Sequence, residues 1–233
     1  TEGNLEPLTP RSVVHSKGGI NRVTENNKVS QSIVSSSSVQ EAIKAYDQEC
    51  AALLQARDAV IADLPEAMAM LKNTEGKVLI SGIGKSGRIG EKIVASLSSL
   101  GTPAYFLHST EALHGDSGAV EPGDTAILIS NSGTTAEVLA FGTMLKEWGI
   151  PRIAMTGEAD SPLANLCDCT LRTTVDKEAD PNNLAPTSST TLTLALGDAL
   201  AVGLSAEKNF SPADFGERHP GGALGEQTST DRK

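Results

Sequence analysis

The sequence predicts an α/β fold, a three-layer α-β-α sandwich around a parallel sheet, on two observations. From Lys77 onward, short apolar segments alternate with longer segments of helical periodicity, which is typical of parallel strands joined by helical crossovers. Aromatic residues make up only 3% of the 233 residues. The core must therefore be built from Ala, Val, Leu and Ile, as in parallel sheets covered by helices.

The region before the first strand predicts a polar lead followed by two helices. Residues 1–37 are rich in Ser, Asn, Gly and Thr, and we expect them to be disordered. Ser38 with Glu41 three residues later predicts a capping box that opens a first helix. Pro65 is tolerated in a first turn and predicts the start of a second helix. The predicted organisation is a lead over 1–37, one domain over 38–225 and a tail over 226–233.

Five short apolar runs predict the strands of the sheet: KVLIS, AYFLH, TAILIS, RIAMT and CTLRT. Helices are predicted after the first, third, fourth and fifth of these runs, ending with PTSSTTLTLALGDALAVGLSAEKN. In such sheets ligands bind at the carboxyl ends of the strands, where the strand order reverses. We therefore expect the loops SGIGKSG, after the first strand, and SNSGTT, after the third, to be neighbours.

Charge and cysteine usage exclude several classes of function. The net charge is −10 and no Lys/Arg-rich run appears, which disfavours a nucleic-acid partner. No apolar run approaches the ~20 residues that span a bilayer, so no membrane partner is expected, and the N-terminus lacks an apolar signal core. Three cysteines without a disulfide framework indicate a reducing compartment, and we expect the cytoplasm.

The glycine turn after the first strand resembles two nucleotide motifs but satisfies neither. Its Gly82, Gly84 and Gly87 match G-x-G-x-x-G, yet the second strand does not end in the acidic residue that would hold a ribose. A P-loop requires glycine five residues before Gly84, where the chain has Leu79. A smaller anion than a nucleotide is therefore expected.

The loop after the third strand predicts where that anion binds. Hydroxyls and free amides at a helix N-terminus bind phosphate without a formal positive charge. More hydroxyls stand at this junction than a simple cap needs, and one more follows the first strand. The predicted phosphate-binding residues are Ser86, Ser130, Ser132 and Thr135, with Thr134 beside them.

Four segments in this order, SGIGKSG, SNSGTT, KEADPNNLAPTSSTT and ERHPGGALG, resemble the sugar isomerase (SIS) domain family over roughly residues 39–225. Within it they are similar to the D-arabinose-5-phosphate isomerases of the KpsF/GutQ type. The resemblance implies a five-stranded parallel sheet in flavodoxin-like order and a homo-oligomer, usually a tetramer. It implies interconversion of D-ribulose 5-phosphate and D-arabinose 5-phosphate with no nicotinamide cofactor and no obligatory metal. The CBS regulatory pair of many members is not expected in this chain.

Aldose–ketose isomerisation needs a base to move a proton between C1 and C2 and a group that stabilises the enediolate. Glu178 follows the fifth strand at the carboxyl edge and is our first candidate for the base. Glu137, in the first turn after SNSGTT, is the second candidate, although acids there also pair with the helix dipole. Lys85 is a candidate either for stabilising developing negative charge or for contacting the phosphate.

Histidine suits proton relay because it titrates near neutral pH. His219, which precedes PGG, is assigned to ring opening or proton relay, in its own or a neighbouring subunit. His114 matches a family histidine and is assigned to substrate binding or relay. For His108 packing is as good an explanation as function, and His15 lies in the polar lead.

Two other functions remain open. A phosphosugar-sensing regulatory SIS module would bind the ligand without turnover, but residues 1–37 have too few apolar positions for a DNA-binding helical domain. An isomerase of another sugar phosphate is the other alternative. Thr134 and Asp180 stand where family members often have different residues, so the sugar itself is open.

Overall fold

The computed structural model describes residues 36–221. The chain forms two compact units, Thr1–Ile43 and Lys44–Lys233; the described part of the first is the beginning of helix α1. The predicted tail over 226–233 and almost all of the predicted lead over 1–37 lie outside the described residues, as does the predicted domain end at 225.

The second unit is built on a five-stranded parallel sheet in the order β2-β1-β3-β4-β5. Its strands are β1 (Val78–Ser81), β2 (Ala104–Phe106), β3 (Thr125–Ile129), β4 (Arg152–Thr156) and β5 (Cys169–Arg172). All five follow the predicted apolar runs, and the predicted α/β class is confirmed. The order reverses between β1 and β3, so the loops after these two strands meet at one point of the carboxyl edge.

Helices cover both faces of the sheet. They are α1 (Ser37–Lys72), α2 (Gly84–Ser99), α3 (Ser109–Ala112), α4 (Ala136–Glu147), α5 (Pro162–Leu166), α6 (Ser188–Glu207) and α7 (Pro212–Arg218), with a 3-10 turn at Asp116–Ala119. On one face, residues of α1, α2 and α6 pack against the sheet around Ile93 and Leu196. On the other face, α4 and α5 pack around Phe141 and Leu163. The aliphatic composition thus fills two layers of core.

The predicted break at Pro65 is wrong, because α1 runs through it as one helix. An internal proline removes one backbone hydrogen bond and usually costs about 3 kcal/mol. Packing on both sides of it opposes that cost: Asp63 binds the guanidinium and backbone of Arg172, while Ala67 is fully buried. The local signal is overridden by these long-range contacts.

The helix start is also displaced from the prediction. Helix α1 begins at Ser37, so Ser38 lies inside it rather than at its cap. The Oγ of Ser36 lies 3.4 Å from the backbone nitrogen of Val39, which donates to it. The capping box at Ser38 is therefore wrong, and the hydroxyl two residues earlier takes the capping contact.

The loop expected before His219 contains a short helix, α7. Ser211 accepts from the backbone nitrogen of Asp214, whose carboxylate accepts from the Ser211 backbone, a complete capping box. Pro212 follows the cap, where its missing N–H is harmless. His219 is consequently the C-terminal cap of a helix and not a free loop residue.

Helix α6 is long and apolar enough to span a membrane by length and composition alone, in contrast to our expectation from the sequence. However, 44% of that segment is buried inside the unit. Leu196, Leu200 and Leu204 belong to the core on the α1/α2 face of the sheet. Burial in a protein core therefore explains the composition of α6.

Asp124 holds the amino-terminal edge of the sheet together, and its replacement by asparagine should destabilise the fold. The Asp124 side chain is 1% exposed and accepts from the Lys77 backbone and ammonium groups, each at 2.9 Å, and from the Glu121 backbone at 2.8 Å. Burial raises the pKa of the Asp124 carboxyl, but these donors outweigh burial and keep the pKa below its ordinary value. We expect a loss of about 1–3 kcal/mol at pH 7 in urea unfolding.

The pH dependence separates this interaction from a general packing defect. A carboxylate with a lowered folded pKa stabilises the protein above its unfolded pKa, and that stabilisation is lost as pH falls through the folded pKa. The difference in the free energy of unfolding between wild type and Asp124→Asn should therefore become smaller at pH 3 and below. Asp198→Asn, at a half-exposed pair with Lys92, is the control and should cost at most about 1 kcal/mol.

Candidate active site

The carboxyl edge of the sheet forms a small pocket at the β1/β3 reversal. A Cβ on Gly82, just after β1, would lie 3.1 Å from the carbonyl oxygen of Ile129, so the two loops pass in close contact. Ser86 lines the pocket from the start of α2, and Asn131 lines it from the loop after β3. The other polar lining residues are Thr173, Ser189, Thr190 and Thr193. The structure thus brings the two predicted loops to one pocket.

Two helices begin at this point without a side-chain cap. Neither Ile83 before α2 nor Thr135 before α4 caps its helix with a side chain. By contrast, Ser161 and Ser211 cap the shorter helices α5 and α7. The first amides of a helix have no intrahelical partner and carry the positive end of its dipole. The N-termini of α2 and α4 therefore leave open donors that suit an anion.

The hydroxyls of the loop after β3 are arranged in two pairs. The Oγ of Ser130 lies 2.7 Å from the Oγ1 of Thr135 and also accepts from the Gly133 amide. The Oγ of Ser132 lies 2.9 Å from the Oγ1 of Thr134 and accepts from its amide at 3.3 Å. Ser130 is buried, so it shapes the turn, whereas Ser132 and Thr134 are exposed. None of these four hydroxyls is among the described groups that line the pocket.

Gly133 fixes this loop, and its replacement by alanine should impair anion binding. Its φ is +63°, and a Cβ there would overlap the Oγ and Cβ of Ser161, the cap of α5. The carbonyl of Gly133 also accepts from the Leu163 amide at 3.0 Å. We expect Gly133→Ala to shift the loop and weaken binding of inorganic phosphate at least tenfold, that is by about 1.4 kcal/mol, measured by calorimetry.

Gly149→Ala is the matched control for this substitution. Gly149 also has a positive φ, +72°, but a Cβ there meets nothing within 4 Å. Both variants carry the left-handed strain of about 1–2 kcal/mol, and only Gly133→Ala adds the overlap with Ser161. Equal effects of the two variants on ligand affinity would contradict the role given to Gly133.

The carboxylate of Glu178 lies at the N-terminus of α6. Its Oε2 accepts from the backbone nitrogen of Thr187 at 2.8 Å and of Ser189 at 3.1 Å, and from the Thr187 hydroxyl at 3.1 Å. Its Oε1 accepts from the Ser189 hydroxyl. Burial raises the pKa of the Glu178 carboxyl, but the donors of Ser189 and Thr187 outweigh it and hold the pKa below its ordinary value. The side chain is therefore ionised and fixed at neutral pH.

Lys85 and Glu137 lie in the first turns of the two uncapped helices. Lys85 is exposed on α2, and its ammonium has no hydrogen bond or ion pair within the described part of the chain. Glu137 is half-buried in the first turn of α4. Both side chains thus begin at the carboxyl edge of the sheet, on either side of the reversal point.

His219 lies far from these loops within its own subunit. Its Nε2 is 3.2 Å from the Oγ of Ser99, its Nδ1 is 2.8 Å from the Phe215 carbonyl, and its ring stacks on Phe215 at 3.9 Å. Ser99 ends α2, whereas Ser86 lies in the first turn of the same helix. Thirteen helical residues at 1.5 Å each separate them by about 20 Å. His219 therefore does not reach the pocket of its own subunit.

The other two histidines among residues 36–221 follow β2 at the same edge of the sheet. His114 is exposed between α3 and the 3-10 turn. His108 packs edge-on against Phe106, and its Nδ1 is buried without a hydrogen-bond partner in the described residues. His108 and Glu111 line a groove of about 560 Å³, which the glycine turn at Gly84 and Gly87 bounds on one side. His114 itself does not line it.

Five polar residues of the pocket were not singled out from the sequence: Asn131, Thr173, Ser189, Thr190 and Thr193. Asn131 lies within the predicted SNSGTT loop, and Ser189 and Thr190 lie in the quoted TSSTT segment, so their neighbourhoods carried a signal. Thr173 follows β5 directly, and position at a carboxyl end could have indicated it. No cluster of three or more His, Cys, Asp or Glu suited to a metal occurs among residues 36–221.

Comparisons with known proteins agree with this geometry. The sequence model of the SIS domain matches residues 70–203. The arabinose 5-phosphate isomerase KdsD of Pseudomonas aeruginosa is 48% identical over 163 residues, which are 70% of this chain and 50% of that protein. The arabinose 5-phosphate isomerase KdsD of Francisella tularensis is 46% identical over 192 residues, which are 81% of this chain and 59% of that protein. The chain spans about half the length of the curated relatives it matches.

A solved structure of an Escherichia coli CFT073 protein in complex with arabinose 5-phosphate superposes on this chain with a TM-score of 0.74. The two sequences are 38% identical, and the superposition covers 86% of this chain and 100% of the other. The residues matched by the SIS domain model, 70–203, include all five strands of the sheet. The chain belongs to the SIS domain family.

Proposed function

We propose that this chain is an aldose–ketose isomerase that interconverts D-ribulose 5-phosphate and D-arabinose 5-phosphate. The observation that carries the proposal is one polar pocket between the uncapped N-terminus of α2, with Ser86, and the loop of Asn131, which leads into the uncapped N-terminus of α4. Two such helix N-termini suit a single phosphoryl group. The relatives named arabinose 5-phosphate isomerase and the related complex with arabinose 5-phosphate support this choice of sugar.

The phosphate binds at the loops of Ser86 and Ser132, with the amides of α4 and the hydroxyl of Thr135. The sugar then extends with its carbonyl end toward the N-terminus of α6. A base removes the proton from C2 of the aldose, and the electron pair moves to form the enediolate with its negative charge on O1. A proton passes from the O2 hydroxyl to O1, and the base returns its proton to C1, which gives the ketose. Glu178 is the proposed base, because it is ionised and lies next to the pocket residue Ser189.

The remaining side chains take the supporting roles. Lys85 stabilises the negative charge that develops on the enediolate oxygen. Glu137 at the start of α4 is the second candidate for the base. His219 of a neighbouring subunit opens the furanose ring or relays a proton, because His219 lies about 20 Å from the pocket of its own chain. His114 contributes to substrate binding or relay at the same edge.

A homo-oligomer, with a tetramer as the expected size, follows from the role given to His219. Helix α1 carries exposed apolar side chains on one face: Tyr46 is 73% exposed and Leu54 is 74% exposed, two turns apart. Such a face suits association with a second copy. Light scattering measures the size, and mixed oligomers of Lys85→Met and His219→Gln subunits should recover activity that neither variant has alone.

The cytoplasm is the proposed location. Among the described residues Cys50 is exposed, Cys167 half-buried and Cys169 buried, and none forms a disulfide. Burial raises the pKa of both Cys167 and Cys169 to about 12, so these thiols are inert packing groups. Unpaired cysteines in a compact domain suit a reducing compartment.

Turnover of a panel of phosphosugars tests the function. The purified chain is incubated with ribulose 5-phosphate, and arabinose 5-phosphate is detected by chromatography. Phosphoheptoses and hexulose phosphates serve as competing substrates. Stabilisation against heat by arabinose 5-phosphate without turnover would reject the enzyme and leave a binding module.

A further inference from the structure

The carboxylate of Glu178 is held by the first turn of α6 rather than by charged partners. Both of its oxygens accept hydrogen bonds, and every donor belongs to Thr187 or Ser189. The Thr187 hydroxyl accepts from the Ala179 amide at 2.7 Å and donates to Glu178. Its one proton is thereby directed at the carboxylate. The network fixes the carboxylate in position and orientation.

The loop that carries Glu178 is held by its own polar contacts. The Glu178 amide donates to the Oδ1 of Asn183 at 2.7 Å. Asp180 accepts from the amides of Leu184 and Ala185 at 3.0 and 3.3 Å. These bonds close the loop without using the Glu178 carboxylate. A change at Ser189 would therefore act on the carboxylate and leave the loop closed.

No charged side chain of the described residues forms an ion pair with Glu178. Burial raises the pKa of the Glu178 carboxyl, and the donors of Ser189 and Thr187 lower it. The loop itself contributes Asp176, Lys177 and Asp180. Glu49 of α1 accepts from the Thr191 hydroxyl in the first turn of α6, and Lys85 lies at the start of α2. None of these five makes a hydrogen bond with the carboxylate. The hydroxyls of Ser189 and Thr187 thus stabilise the charged form of the carboxylate, as an arginine or lysine often does beside a catalytic carboxylate.

We propose that Ser189, assisted by Thr187, is a positioning residue that fixes the Glu178 carboxylate beside the pocket which Ser189 itself lines. The proposal rests on the isomerase function given above. Ser189 contacts Glu178 with both its hydroxyl and its amide and borders the pocket with Thr190 and Thr193. One residue therefore links the orientation of the base to the wall of the substrate site.

The test is Ser189→Ala, with Ser188→Ala as its matched control. The hydroxyl of Ser188 is buried and has no hydrogen-bond partner among the described residues, so its removal changes packing but no contact with Glu178. In Ser189→Ala we expect the acid limb of kcat/KM to move up by about one pH unit, since one bond to a charged acceptor is lost. KM should change less than about twofold while kcat falls. Ser189→Thr, which keeps the hydroxyl, should restore the profile.

Carbon-13 NMR of the Glu178 carboxyl carbon gives a readout that needs no turnover. Its titration midpoint should lie below the ordinary value in wild type and in Ser188→Ala, and rise in Ser189→Ala. An unchanged midpoint in Ser189→Ala would overturn the positioning role even in an active enzyme. A raised midpoint in a chain without isomerase activity would instead reject the proposed function while the Ser189–Glu178 contact stands.

Discussion

Lys85→Met is expected to lower kcat about 10²–10³-fold, the usual effect of removing one donor that stabilises a developing oxyanion. The ammonium is exposed in the first turn of α2, and its removal breaks no hydrogen bond within the described part of the chain. The fold should therefore be unaffected, and the unfolding midpoint in urea should equal that of wild type. Steady-state kinetics with arabinose 5-phosphate measures the effect on kcat.

Lys92→Met on the same helix is the control. Lys92 makes an exposed pair with Asp198, which contributes at most about 1 kcal/mol to stability, and it lies two turns after Lys85 along the helix. Its kcat should stay within about twofold of wild type. Full activity of Lys85→Met would remove the lysine from the mechanism, and a loss confined to KM would reassign it to phosphate binding.

The strands could be predicted from the sequence because a buried parallel strand must be apolar on both faces. Leu79, Ile127 and Ile153 are fully buried in three different strands, and each stands in a run bounded by polar residues or glycine. The start of α1 could not be predicted the same way. Ser36 and Ser38 offer similar hydroxyls, and Ser36 takes the capping contact, so the helix begins at Ser37.

The short helix α7 shows a signal that was present but not used. Ser211, Pro212 and Asp214 form a cap, a first-turn proline and a capping box within four residues. The same rule applied at Ser38 predicted the wrong cap. Such motifs are local, and they decide a boundary only where packing does not move it. For α7, none of whose residues is buried, the local signal determines the helix.

The candidate site was predictable in its loops and not in its contacts. Ser86 and the SNSGTT loop could be placed at one edge because parallel strands put their carboxyl ends together. The bond between Glu178 and Ser189 joins residues eleven apart across a turn, and no periodicity predicts it. The distance between His219 and Ser86 likewise depends on how α7 returns to the end of α2.

Glu178→Gln is expected to lower kcat about 10²–10⁴-fold, because it removes the proposed proton acceptor. Affinity for arabinose 5-phosphate should be retained, because the N-termini of α2 and α4 are unchanged. Quench-flow measurement of a single turnover gives the rate of the chemical step, and calorimetry gives the affinity. Asp180→Asn is the control, since Asp180 also accepts backbone amides in this loop but is not proposed to move a proton.

The same substitution should change the acid sensitivity of the fold. The ionised carboxylate stabilises the start of α6 above the unfolded pKa of glutamate, and that stabilisation is lost as pH falls through the lower folded pKa. An amide in its place turns a donor toward Ser189 or Thr187 and costs about 1–3 kcal/mol at neutral pH. The loss in the free energy of unfolding of Glu178→Gln relative to wild type should become smaller below pH 4. A loss of kcat without this pH-dependent loss of stability would mean that Glu178 moves protons without stabilising the start of α6. A loss of stability without a loss of kcat would leave Glu137 as the base.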